Sequence, residues 1–257
     1  MRRVCFGAAI HRVPFAVPCE PLVKTALELY EACWRQIPTA TLHQKGGLPG
    51  GWRTIANMMF FKQQLQHARE NEYETHLTGF QTLPEFHHLK REMREAATAY
   101  LKDHGLSGEE ASNLTANAPL FVWSSVHTGG SLHPPHVHSD SMCTGTFYAQ
   151  RPTLSAPIVF DDPRGRSPFD VLVGIESNLR YGQAANNMLT DLTPPFDQPV
   201  VVDPDEGECV LFPPWLVHQV PGTTPDEIVR VSFSFNMLGH WSHTVMPTAN
   251  SPSFHKA

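Results

Sequence analysis

Apolar residues recur at Leu22, Ala26, Leu27, Tyr30, Cys33 and Trp34, three or four positions apart, until Pro38 stops the pattern. That spacing gathers the side chains on one helical face and predicts an amphipathic helix over residues 21–37. The same period returns in Phe86, Leu89, Met93, Ala96, Ala97 and Tyr100, with His104-Gly105 as a glycine-type end. Ser107-Gly-Glu-Glu110 has capping-box spacing and predicts a short helix to about Leu114. Between the first two helices, residues 46–52 form a glycine-rich loop ending at Trp52, and residues 55–68 read as another helix. The first 118 residues are therefore expected to be mainly helical.

After Pro119 the period shortens to two. Residues 120–126, 144–150 and 157–160 are short, β-branched or aromatic, and bounded by turn residues. Residues 208–212, 216–220 and 228–235 continue the series, the last alternating Val229, Val231, Phe233 and Phe235 against Arg230, Ser232 and Ser234. Many short antiparallel strands behind a helical section predict an α+β jelly roll. Residues 163–206 show no sustained period and are rich in Pro, Asn, Asp and Gly. They read as a lid that carries much of the specificity, with Phe169, Leu172, Tyr181, Met188, Leu189 and Phe196 available to cover an apolar ligand. The tail from Gly239 onward is expected to pack loosely.

Composition narrows the function more than the fold. Hydrophobic residues at 41% and charged residues at 17% describe an ordinary globular chain, and no polar linker divides it. The expectation is one domain over 1–257, with a helical portion at 1–118, a jelly-roll core at 119–237 and a tail at 238–257. A net charge of -6 supplies no basic surface, which argues against a nucleic-acid partner. No run of about 18 apolar residues is present, so no membrane span is expected. Five cysteines, odd in number and without a CxxC pair, point to a reducing compartment. His11, Arg12 and Pro14 interrupt the first apolar run before a signal-peptide core is complete, and the location reads as cytoplasmic with organelle targeting left open. Oligomeric state is not legible.

The histidines carry the chemistry. There are 15, and His133, His136 and His138 fall together. In an extended segment residues two apart face the same way, so His136 and His138 can aim at one point. His218 follows in Leu211-Phe-Pro-Pro-Trp-Leu-Val-His218, whose apolar run implies burial. A single buried histidine is ordinarily a hydrogen-bonded structural residue; His136, His138 and His218 together, in a β context, read as a metal site. Arg230 opens the last alternating strand, and a cation among such neighbours needs an anion; its planar fork matches a carboxylate, and Ser232 shares its face. His127, His133, His240 and His243 receive no role.

Residues 130–138, ending in His133-Pro-Pro-His-Val-His138, with Thr144-Gly-Thr-Phe-Tyr148, Phe160-Asp-Asp-Pro-Arg164, residues 207–218 and residues 230–236, resemble the 2-oxoglutarate- and Fe(II)-dependent oxygenases, in particular a subgroup with an HPPHxH signature. The resemblance covers roughly residues 119–237 and implies a cupin-like double-stranded β-helix. It also implies iron on His136, His138 and His218, and a 2-oxoglutarate carboxylate on Arg230 and Ser232 with Tyr148 within reach. Most of that superfamily has a carboxylate where His138 stands, against the usual two-His, one-carboxylate set. Asp140 is the alternative third ligand, disfavoured because related sequences tend to carry Asn there.

The implied reaction oxidises a small-molecule or peptide substrate, by default hydroxylating it, and releases succinate and CO2. Two alternatives stay open at this point. A cupin-like three-histidine dioxygenase without 2-oxoglutarate explains His138 but leaves Arg230 idle. A non-catalytic jelly-roll binding protein is not excluded by fold.

Overall fold

A computed structural model describes residues 8–36, 80, 82–127, 133–138, 141–162, 199–221, 225 and 227–239. Strand β1 (His11–Pro14) leads into helix α1 (Cys19–Gln36). Helices α2 (Pro84–Asp103) and α3 (Gly108–Asn117) follow, then strands β2 (Leu120–His127), β3 (His133–His136), β4 (Ser141–Gln150) and β5 (Ile158–Phe160). Strands β6 (Val200–Val202), β7 (Glu208–Phe212), β8 (His218–Val220) and β9 (Arg230–Leu238) complete the series. The glycine-rich loop at 46–52, the helix expected at 55–68, the greater part of the proposed lid (163–198) and the tail from residue 240 lie outside the described residues.

The helices follow their local signals. The α2 face made of Phe86, Leu89, Met93, Ala96, Ala97 and Tyr100 is buried, and Gly105 takes the positive φ of 99° just beyond the helix end. Ser107 and Glu110 cap α3 reciprocally, each side chain accepting the other's backbone N–H. The helix runs to Asn117 rather than to Leu114, because Thr115 is buried and its hydroxyl donates back to the Ala111 carbonyl.

The strands form two antiparallel sheets, five-stranded in the order β1-β7-β4-β9-β2 and four-stranded in the order β3-β8-β5-β6. With helices at its N-terminal side, this α+β arrangement is a double-stranded β-helix. Three short strands, β1, β3 and β6, are not among those expected, β3 covering a segment read only as extended around His136. β1 falls within the portion expected to be helical and pairs with β7, His11 opposite Leu211. β6 falls within the region expected to lack regular structure and pairs with β5. Both are too short to show a period, and their partners are distant in the chain.

Parity along the large sheet decides what faces what. Val231, Phe233, Phe235 and Met237 of β9, Phe147 and Ala149 of β4, and Cys209 and Leu211 of β7 join the helices in the main core. The opposite parity, Arg230, Ser232, Ser234 and Asn236, lies in register with Tyr148, Thr146 and Thr144 of β4 and with Ser125 and His127 of β2. This second face looks toward the small sheet, where Tyr148, Val210 and Phe212 pack with Ile158, Phe160 and Leu216. The apolar side thus holds the fold together, and the polar side lines its interior.

Gly145 sits where β4 is squeezed between β7 and β9. A Cβ there would lie 2.7 Å from Phe235 Cε1 and 3.0 Å from the Val210 carbonyl oxygen. Gly145→Ala is expected to lower stability by about 1–3 kcal/mol, the usual cost of overpacking a core. A urea midpoint equal to that of the wild type would contradict this packing.

Candidate metal and carboxylate site

The small sheet supplies the histidine cluster. β3 and β8 pair with His136 directly opposite His218, and their rings lie 4.1 Å apart. His138 follows β3 and is held by its backbone N–H, which donates to the Pro214 carbonyl at 2.8 Å. Its Nε2 lies 3.2 Å from His218 Nε2. One ligand nitrogen from each of His136, His138 and His218 lies within 4.8 Å of the others, a spacing compatible with one shared ion. The three histidines singled out in the sequence therefore meet, while Asp140 lies outside the described residues.

The protonation of the cluster suits ligation. His218 Nδ1 lies 2.9 Å from the Leu216 carbonyl, an acceptor only, so Nδ1 carries the proton and Nε2 keeps its lone pair. This is the arrangement by which a backbone carbonyl orients a metal-binding imidazole. Burial, followed by the neighbouring histidines, holds His138 and His218 well below the ordinary imidazole range. Both are neutral at pH 7, as ligands must be.

Arg230 provides the second half of the site. It is 1% exposed. Its Nη1 donates to the Ala156 carbonyl at 2.7 Å, and Nη2 lies 3.3 Å from His127 Nδ1. Its guanidinium carbon stands 5.5 Å from the centre of the Tyr148 ring. No carboxylate among the described residues pairs with it. Arg230 Nε and the Tyr148 hydroxyl are both buried without hydrogen-bond partners among the described residues. Ser232 is buried two positions on, opposite Tyr148 in the ladder.

The two halves share one interior. Tyr148 packs with Phe160, Phe212 and Leu216, and the Phe212 and Phe160 rings lie 4.5 Å and 6.0 Å from the ring of His218. An unsatisfied buried cation and hydroxyl beside converging imidazoles fit a metal ion and an acidic ligand. His127 is one of the four histidines left without a role by the sequence reading, and the structure puts it beside Arg230. Its signal was its parity in β2, shared with Ser125 and opposite to Val122 and Val126.

Residues 121–236 match the family described as "Putative 2OG-Fe(II) oxygenase". This segment, a little under half of the chain, resembles the Fe(II)- and 2-oxoglutarate-dependent oxygenases, an enzyme family whose cofactor is iron and whose cosubstrate is 2-oxoglutarate. A prolyl-4-hydroxylase from Pseudomonas putida is a solved structure similar to it, at 10% identity and a TM-score of 0.40 over 90% of this chain and 88% of that one. An N-substituted L-amino acid dioxygenase from Burkholderia ambifaria, in complex with 2-oxoglutarate, matches at 16% identity and a TM-score of 0.32 over 46% of this chain and 48% of that one. EvdO2 from Micromonospora carbonacea, also complexed with 2-oxoglutarate, matches at 14% identity and 0.36 over 62% and 61%. The chain thus spans less than two thirds of the latter two. A search of curated proteins returned no match. The resemblance is carried by the matched segment, not by these distant likenesses.

Burial holds His127 as well as His138 and His218 below the ordinary histidine range. In the unfolded chain these groups titrate near 6.5, so their contribution to stability is fully present above that pH and is lost as pH falls toward the folded values. The metal-free protein is therefore expected to show a falling thermal midpoint between about pH 7 and about pH 5.5, before most carboxylates titrate. A midpoint that holds level or rises over that interval would contradict neutral burial.

Proposed function

We propose that this chain is a 2-oxoglutarate-dependent dioxygenase that holds Fe(II) on His136, His138 and His218 and receives the distal carboxylate of 2-oxoglutarate on Arg230, assisted by Ser232 and Tyr148. The observation that carries the reading is the buried Arg230 guanidinium without a carboxylate partner among the described residues. An uncompensated buried charge is costly, and an acidic ligand removes the cost. A dicarboxylic 2-oxo acid suits the site, because one end can meet the cation while the other reaches the imidazoles. A three-histidine dioxygenase without 2-oxoglutarate accounts for His138 but gives Arg230 no anion.

Each residue then has a task. His218, oriented through Leu216, presents Nε2, His136 joins it from the neighbouring strand, and His138 completes the set from the segment just after that strand. Arg230 fixes one end of the cosubstrate, and the Tyr148 hydroxyl assists it. Phe160, Phe212 and Leu216 wall the interior with apolar surface, which limits water near the reacting groups. When bound, Fe(II) with 2-oxoglutarate and O2 supplies oxidation coupled to decarboxylation. The balanced outcome is one substrate hydroxylated, with one succinate and one CO2 released.

The substrate class proposed is a small molecule or peptide. Among the described residues no helix is long and apolar enough to cross a membrane, and a cytoplasmic location is part of the proposal. Residues 163–206 remain the proposed lid and specificity segment on sequence grounds.

Replacing His136, His138 or His218 by Ala is expected to reduce bound iron and 2-oxoglutarate turnover sharply. If His138→Ala keeps both and Asp140→Ala loses both, a carboxylate completes the metal site instead. Arg230→Met is expected to leave iron content near wild type while weakening 2-oxoglutarate by roughly tenfold or more, since a charge-assisted hydrogen bond contributes about 1.5–3 kcal/mol. Equal calorimetric affinity in wild type and variant would overturn the anchor.

A further inference from the structure

The interior face of the large sheet changes along its strands. At one end, in register with one another, stand Ser125 and His127 of β2, Arg230 and Ser232 of β9 and Tyr148 of β4, and all of them are buried. Further along the same parity come Phe121 and Trp123 of β2, Ser234 and Asn236 of β9 and Thr146 of β4. These are only half-buried. The face is closed at the Arg230 end and open at the Trp123 end.

The open end lies beside the histidine cluster. The Trp123 ring centroid is 5.8 Å from that of His138, and the Phe121 ring is 5.9 Å from Trp123. His127, the cross-strand partner of Arg230, and Trp123 are four residues apart on β2, which is roughly 13 Å of extended strand. That span exceeds the length of a five-carbon dicarboxylic acid. A cosubstrate anchored on Arg230 therefore leaves the Trp123 end to a second ligand.

The chemistry of this end is aromatic and uncharged. Thr146 and Ser234 satisfy each other at 3.0 Å. Asn236 meets the Thr144 hydroxyl at 2.9 Å through one arm of its amide, and the other arm has no hydrogen-bond partner among the described residues. A charged substrate group placed here would lose water without gaining an ionic partner from these side chains, which is costly. An uncharged ring loses little, packs well on aromatic surface, and can turn one oxygen toward the amide.

We infer that the substrate occupies this open end: an uncharged ring bearing an oxygen substituent, packed on Trp123 and Phe121, with its oxygen hydrogen-bonded to Asn236. This assignment builds on His136, His138 and His218 as the metal site and on Arg230 as the carboxylate anchor.

The test follows the 19F spectrum of 5-fluorotryptophan-labelled protein, oxygen-free and saturated with 2-oxoglutarate, with the Trp123 signal assigned through Trp123→Phe. Replacing Zn(II) by Co(II) is expected to shift or broaden the Trp123 signal, because the unpaired electrons of Co(II) act on nearby nuclei. An unchanged signal would show that no metal sits beside His138, and would overturn the metal reading together with the substrate assignment. In the Zn(II) protein, cyclohexanol is expected to move the Trp123 signal saturably, while cyclohexanecarboxylate and cyclohexylammonium leave it in place over the same concentrations. If Co(II) acts as expected but cyclohexanol has no effect, or either charged ring moves the signal as strongly, the substrate assignment fails and the metal site stands. Asn236→Leu is expected to weaken cyclohexanol by about three- to tenfold, the value of one neutral hydrogen bond. Equal affinity in wild type and this variant would overturn the contact with Asn236.

Discussion

The interior of this fold is arranged around a positive charge that the described residues do not neutralise. Arg230 begins the strand that contacts both β2 and β4, and its side chain projects into the space between the sheets. Its hydrogen bonds to the Ala156 carbonyl and to His127 fix its position, and its face lies against Tyr148. None of these neighbours is an anion. A charge held this way is tolerable when a ligand of opposite sign completes it, so a carboxylate pocket and a stable sheet interior become the same requirement.

The large sheet separates that requirement from stability. One parity of β9, β4 and β7 packs against the helices as an apolar layer. The other presents hydroxyls, the guanidinium and the phenol to the interior, where Thr144 donates to the Phe235 carbonyl and Thr146 pairs with Ser234. Opposite stands the small sheet with His136 and His218 in register. Substitutions on the first parity act on the core, and those on the second act on ligands, because strand periodicity keeps the two sets apart.

Much of this was readable in the chain. The two-residue spacing of His136 and His138 and the lone cation in an alternating strand identify positions that the fold brings into one interior. What the sequence could not display was pairing at a distance. β1 is four residues long and lies beside β7 through main-chain bonds, with Arg12 meeting Glu208 and Asp205 across nearly the whole chain. β6 is three valines, two of them largely exposed, held as an edge strand by β5. Neither has a period of its own to read. His127 escaped for a different reason: its importance lies in which atom of a neighbouring strand it meets, and only register reveals that.

The most direct test of the account is the unfolding free energy of the metal-loaded, oxygen-free protein in urea, with and without 2-oxoglutarate. A ligand that supplies the missing charge binds the folded state alone, and at about one hundred times its dissociation constant it should add about 2.7 kcal/mol. The account predicts a clear upward shift of the midpoint on adding 2-oxoglutarate. An unchanged midpoint at the highest concentration attainable would contradict it.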